Sequence, residues 1–331
     1  MEKSTFRYFK LEEMTMTELK ERFIFDRTIA NLRKSTLETY KNIVNIFLDF
    51  IGGDTLVSSF SKEMYEQFVF HLFRRKEEKK ELKEETIKNY CRHVRVFLYY
   101  AMENDLIPQY KIKLPKADVS IVDPYTDEEL KKLLKPPKMK KISKQKMTSK
   151  EFTEYRNWVI NQYLLDNGNR LSTLINLVVE DLNFPEFTIK MRHAKNRRQQ
   201  YIGMSYDLAQ ILKEYILIAG HTSGKDFFFC DKNGNQIKAR RLQESLAEYN
   251  KSRGVARTGI HRYRHTFAKK FLQDGGDPFV LKDILGQQTM EMVNKYVRYY
   301  ASDLVESIQK HSPLSTMREQ LGLKKRRIIT G

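Results

Sequence analysis

Between residues 108 and 124 the chain reads PQYKIKLPKADVSIVDP, with three prolines and no helical period. Each proline fixes φ and removes a backbone donor, so neither a helix nor a central strand crosses this stretch. A chain of 331 residues divided there leaves two bodies of ordinary domain size. The expected organisation is a short extension over 1–13, a helical domain over 14–112, a linker over 113–122, a second domain over 123–312 and a tail over 313–331.

Apolar spacing on the two sides differs. Leu37, Tyr40, Ile43, Val44, Ile46, Phe47, Leu48 and Phe50 trace a broad helical stripe closed by Gly52-Gly53. Further helices are expected over 61–74 and 84–103, the latter carrying Ile87, Tyr90, Val94, Val96, Phe97 and Tyr100. The second part opens with Thr126 as a helix cap followed by three acids, and another helix is expected from about 149. An apolar helix is expected over LSTLINLVV (171–179). Phe187, Ile189 and Met191 then alternate with polar residues, and Gln200 to Gly203 resume the strand pattern, which predicts a hairpin with residues 193–198 at its tip. Helices are expected again over 206–219, 239–252, 261–273, 278–285 and 289–311. The fold class is mainly α: a helical bundle, then a mixed α+β domain with a small sheet.

Charge narrows the partners. The chain holds 60 Lys and Arg against 42 Asp and Glu, a net charge of +18, which favours a polyanion. Nine lysines and no acid occupy 131–150, and 251–331 carries 16 basic and 7 acidic side chains. Cys91 and Cys230 are too few for a disulfide scaffold and too far apart for a zinc knuckle. Without an apolar leader or an 18-residue apolar run, a cytoplasmic protein with no membrane association is expected.

Two loop motifs do not hold up. GHTSGKD (220–226) has three residues between its glycines where a phosphate loop needs four, and Asp226 where magnesium needs a hydroxyl. DKNGN (231–235) starts like a calcium loop but lacks the later acid, and Asn233-Gly234 reads as a turn. No metal or cofactor is expected. What remains is a dispersed polar set: Arg170 at the end of DNGNR, Lys195 on the hairpin, His261 and Arg264 one helical turn apart, Gly286-Gln287 closing a helix, and Tyr296 nine residues further on.

In that order and spacing, Arg170, Lys195, His261-x-x-Arg264, Leu285-Gly286-Gln287 and Tyr296 resemble the active-site series of the tyrosine recombinase (phage integrase) family. The resemblance covers roughly 123–312, and the bundle ahead of it is similar to the family's SAM-like core-binding domain. It departs from the common pattern at Gln287, where many members have His, at Thr173, commonly acidic, and at Tyr263, commonly aliphatic.

Breaking a phosphodiester without a metal needs positive donors on the non-bridging oxygens, and the forked guanidiniums of Arg170 and Arg264 suit that role. A tyrosine phenol attacking in line conserves the bond for later resealing. The resemblance makes Tyr296 that nucleophile, gives a 3′-phosphotyrosyl linkage, and assigns Lys195 the protonation of the leaving 5′ oxygen. It implies double-stranded DNA as partner, a homotetramer on two sites, a Holliday junction and no cofactor. No accessory DNA-bending partner is specified, and a separate arm-binding domain ahead of the bundle is not expected.

Plainer roles stay open for each residue. Arg170 can be a surface ion-pair partner, His261 a helix cap and His265 a structural histidine. Arg192, Arg197 and Arg198 compete with Lys195, and Tyr299 and Tyr300 with Tyr296. Beside site-specific recombination for a mobile element stand a type IB topoisomerase-like activity and an inactive DNA-binding regulator of recombinase descent. In the tail, Leu314, Met317, Leu321 and Leu323 precede four cations, Lys324 to Arg327. These make either a basic end or a helix that docks on a neighbouring subunit.

Overall fold

The computed structural model describes residues 13–79, 82–116, 122–138, 143–192, 200–287, 289–298 and 312–322. The chain divides into two compact units on either side of the Ile121–Val122 bond.

The first unit contains α1 (Met16–Ile29), α2 (Lys34–Ile51), α3 (Lys62–Lys79) and α4 (Glu84–Glu103). Helix α1 starts at a reciprocal cap: Glu18 N donates to Thr15 Oγ1 at 3.2 Å and Thr15 N donates to Glu18 Oε2 at 2.9 Å. Helix α2 stops at Gly52, whose φ of +86° suits a residue without Cβ. Helix α3 runs past the expected residue 74 because the Lys- and Glu-rich sequence that follows is itself a good helix former. Phe23, Phe47, Phe68 and Phe97 are fully buried. Their rings meet edge to face, Phe23 with Phe97 at 5.6 Å and Phe47 with Phe68 at 5.0 Å.

The second unit is built around α6 (Ser149–Asn167), which packs against α5 (Asp127–Leu134), α8 (Tyr206–Ala219), α9 (Ala239–Ser252) and α10 (Ile260–Gln273). Both α5 and α6 open with the Thr-x-x-Glu box, at Thr126/Glu129 and Thr148/Glu151. Helix α6 ends at Gly168 in the left-handed region. A three-stranded antiparallel sheet, β1 (Leu182–Asn183), β2 (Thr188–Met191) and β3 (Gln200–Gly203), pairs Ile189 with Ile202 and Met191 with Gln200. Ile189, Met191 and Ile202 face the core. Helices α11 (Pro278–Ile284) and α12 (Met290–Arg298) pack on α10, and α13 (Pro313–Gln320) carries exposed Leu314 and Met317. Leu323, Lys324 to Arg327 and the rest of the helix expected over 289–311 lie outside the described residues. Among the described residues no helix is long and apolar enough to cross a membrane.

One expected helix is wrong. Of LSTLINLVV only Leu171–Leu174, here α7, is α-helical. Past Ile175 the backbone leaves the helix, with Val178 extended and bridged to Phe227: Phe228 N donates to Leu177 O at 2.7 Å and Val179 N to Asp226 O at 3.1 Å, so pairing with 226–228 overrides the apolar helical pattern. The two rejected loop motifs fill their own donors. Asp226 accepts from the amides of Thr222 and Ser223 at 2.9 and 3.0 Å, and Asp231 accepts from Asn233 N and Asn235 N at 2.8 and 2.9 Å.

Candidate active site

Two glycine turns with left-handed φ set the site. The first is Gly168, φ +60°, at the end of α6. The second is Gly286, φ +57°, between α11 and α12. Each leaves carbonyl oxygens that no helix uses. Arg264, on α10, donates from Nη1 to Gly168 O at 3.1 Å and from Nη2 to Leu285 O at 2.8 Å. Arg170, which caps α7 by its backbone alone, donates from Nη2 to Gly286 O at 3.3 Å. Consecutive carbonyls of one turn therefore hold the two guanidiniums.

Neither guanidinium makes an ion pair among the described residues. Arg264 is 6% exposed. Burial, then the like charge of Arg170, pushes it down to about 10, which still leaves it charged at neutral pH. Arg170 is lowered by desolvation, with the phenol of Tyr296 acting in the opposite direction.

Tyr296, on α12, is buried at 6% exposure in a small apolar cluster with Phe267, Ala268, Leu281, Leu285 and Val293. Its ring lies 5.2 Å from that of His265, so His265 packs on the candidate nucleophile. Gln287, 8% exposed, is tied by its amide N to Lys282 O at 3.0 Å. Its side-chain Oε1 is buried and finds no hydrogen-bond partner among the described residues. His261 does not cap α10, whose N-cap is Gly259 with no side-chain bond. Desolvation, followed by the charges of Arg264 and Arg170, holds its imidazole below the usual value.

Arg170, Arg264, Gln287, Tyr296 and His261 thus come together on α7, α10, α12 and the α11–α12 turn. Lys195 lies outside the described residues, as do Arg197, Arg198, Tyr299 and Tyr300. Arg192 is engaged elsewhere, with Asp181 and Glu180. Sequence reasoning did not find Gly168, whose carbonyl fixes Arg264. The only available signal was a glycine two residues before the first arginine. A Cβ there would lie 2.7 Å from Phe267 Cδ1 and 3.0 Å from Leu285 Cδ2.

Both parts of the chain match known protein families. The phage integrase family matches residues 125–302 and the phage integrase SAM-like domain matches residues 24–119. The tyrosine recombinase of Pseudothermotoga lettingae is 26% identical over 291 residues, covering 85% of this chain and 93% of its own. XerA of Pyrococcus furiosus, also a tyrosine recombinase, is 26% identical over 210 residues, 62% of this chain and 68% of its own. Among solved structures, the Tn1549 transposon integrase with transposon right end DNA superposes with a TM-score of 0.69 at 21% identity, covering 93% of this chain and 99% of that one. A lambda integrase dimer on a core site gives 0.66 at 13% identity, covering 86% and 95%. The family match alone spans more than half of the residues, and the chain belongs to the phage integrase family of tyrosine recombinases.

Proposed function

We propose that the protein is a site-specific recombinase that cuts and rejoins double-stranded DNA through Tyr296. The observation that carries this reading is the pair of guanidiniums, Arg170 and Arg264, fixed by adjacent carbonyls beside Tyr296 with no carboxylate partner among the described residues. Such a pair stabilises the negative charge that spreads over the phosphoryl oxygens during in-line displacement.

In this reading Tyr296 Oη attacks phosphorus, the bond to the 5′ oxygen breaks, and a 3′-phosphotyrosine forms. His261, neutral at pH 7 because its value is held down, accepts the phenol proton. Gln287 donates to a non-bridging oxygen but cannot exchange protons. Lys195 protonates the departing 5′ oxygen. A 5′ hydroxyl from the partner duplex then attacks the phosphotyrosine and releases the enzyme. Four copies on two sites would pass through a Holliday junction, and the exposed apolar face of α13 would dock on a neighbouring subunit. We also place the protein in the cytoplasm and in the service of a mobile element.

The test is trapping on nicked suicide duplexes tiled from the DNA flanking the gene. The wild-type protein forms an SDS-resistant adduct and Tyr296→Phe does not, while DNA binding stays within about twofold because only one oxygen is lost. An adduct with the Phe variant would move the nucleophile elsewhere. No adduct with the wild type on any duplex would replace the reading with that of an inactive DNA-binding regulator.

A further inference from the structure

Helix α10 has two working faces. At about 100° per residue, His261, Arg264 and His265 fall within one arc of about 100°, while Arg262, Tyr263, Thr266 and Lys270 fill the opposite one. The first arc faces the candidate site. The second grips the segment that opens the second unit. Arg262 donates to the carbonyl of Asp123, and its guanidinium lies 5.8 Å from the centre of the Tyr125 ring. Tyr125 packs against Tyr263 with ring centroids 4.7 Å apart. Tyr125 N donates to Thr266 Oγ1 at 2.9 Å, and that hydroxyl donates to Arg262 O at 2.8 Å. Tyr125 Oη accepts from Asn250 Nδ2 of α9 at 2.9 Å, and Lys270 meets Asp127 at 2.5 Å.

This joint matters because the start of α10 has no cap of its own. Gly259, φ +121°, supplies no side chain, and His261 is only two residues further on. The rotation of the first turns about the helix axis, and with it the aim of His261, is therefore braced from behind, while the Arg264 guanidinium is also held in front by the carbonyls of Gly168 and Leu285. Tyr263, the aromatic that replaces the family's usual aliphatic, is almost fully buried in this joint.

We propose that Tyr125, Tyr263 and Thr266 are positioning residues for strand cleavage, holding the back of α10 so that its front presents His261 and Arg264 to the scissile phosphate. The proposal rests on the recombinase reading above. Thr266 is the best probe because it is fully buried and Val matches its shape. Thr266→Val leaves Tyr125 N without its acceptor, whereas Thr266→Ser keeps the hydroxyl.

The experiment is single-turnover cleavage of the nicked suicide duplexes at saturating protein, read as rate constant and amplitude, with DNA affinity measured alongside. Thr266→Val lowers the rate constant about tenfold or more, as small misplacements of positioned groups do. Its amplitude and affinity stay within about twofold of the wild type, and Thr266→Ser recovers the wild-type rate within about threefold. A Val variant that loses only amplitude or melting temperature, with its rate constant unchanged, would show a purely structural role and overturn the proposal.

A second measurement needs no DNA. Titration of the His261 ring by NMR moves toward the ordinary imidazole value in Thr266→Val but not in Thr266→Ser, because a rotated turn re-exposes the ring to water and carries it away from Arg170 on a separate element. Identical titrations in all three proteins would also overturn the proposal. Absence of any adduct with the wild type strikes the recombinase reading itself, a result distinct from an unaltered rate in the variant.

Discussion

Arg264 donates from Nη2 to the carbonyl oxygen of Leu285 at 2.8 Å, and the next carbonyl in the same turn, that of Gly286, accepts from Arg170. A single backbone turn thus sets the separation of the two guanidiniums. Because a forked side chain uses some N–H groups on that turn and keeps others for a ligand, its geometry matters as well as its charge.

Arg170→Lys and Arg264→Lys each keep a positive charge but lose the fork. Cleavage is expected to fall about 100-fold or more in each, the size of effect seen when one charge-stabilising donor is removed from a reacting centre. Rate constants for adduct formation at saturating protein check this, and near-normal rates in both variants would remove the clamp from the mechanism.

Gly168→Ala forces a side chain into the left-handed region and against Phe267 and Leu285. The expected cost is about 2 kcal/mol or more from backbone strain and crowding together. Urea unfolding measures that loss. Cleavage should suffer beyond it, since the Gly168 carbonyl also holds Arg264.

Gln287→His tests what the site needs at that position. A donor alone suffices if cleavage by the His variant stays within about threefold of the wild type or rises. A fall of more than about tenfold would show that the packing around this buried side chain is shaped to an amide.

The depressed value of His261 has a pH signature. The unfolded chain holds this proton at a pH where the folded protein has released it. Stability therefore rises with pH between the folded value and about 6.5, the ordinary imidazole value. The contribution is fully present above that point and is lost as pH falls through the folded value. His221 shifts in the same direction by burial, so His261→Asn is expected to remove part of the slope in melting temperature between acid and neutral pH and leave the rest.

Legibility in the sequence followed the range of the forces involved. Helices α2, α4, α9 and α10 were readable because their buried faces repeat within the element, and the Thr126 cap before α5 is a local hydrogen-bond motif. Helix α1, whose buried stripe is only Met16, Leu19 and Phe23, left little periodic signal. The failure over 175–179 arose because pairing with Phe228 and Asp226, about 50 residues away in sequence, decides the backbone there. The candidate residues Arg170, Arg264 and Tyr296 could be picked out as a series by chemistry and spacing, and the fold brings their side chains together. Their supports were not: a carbonyl oxygen carries no residue identity, so the roles of Gly168 and Leu285 emerge only once the turns are folded.

Carbonyl anchoring has one more consequence. A carboxylate would restrain a guanidinium and cancel its charge together, whereas a peptide oxygen restrains direction and leaves nearly the whole charge in place. With Arg170 and Arg264 held close, their like charges repel, and an incoming anion relieves that repulsion. Phosphodiester binding should therefore act as a folding ligand for this half of the chain, its melting temperature rising with the logarithm of free DNA concentration once that exceeds the dissociation constant. The same arrangement couples the protein's durability in the cell to the presence of its DNA.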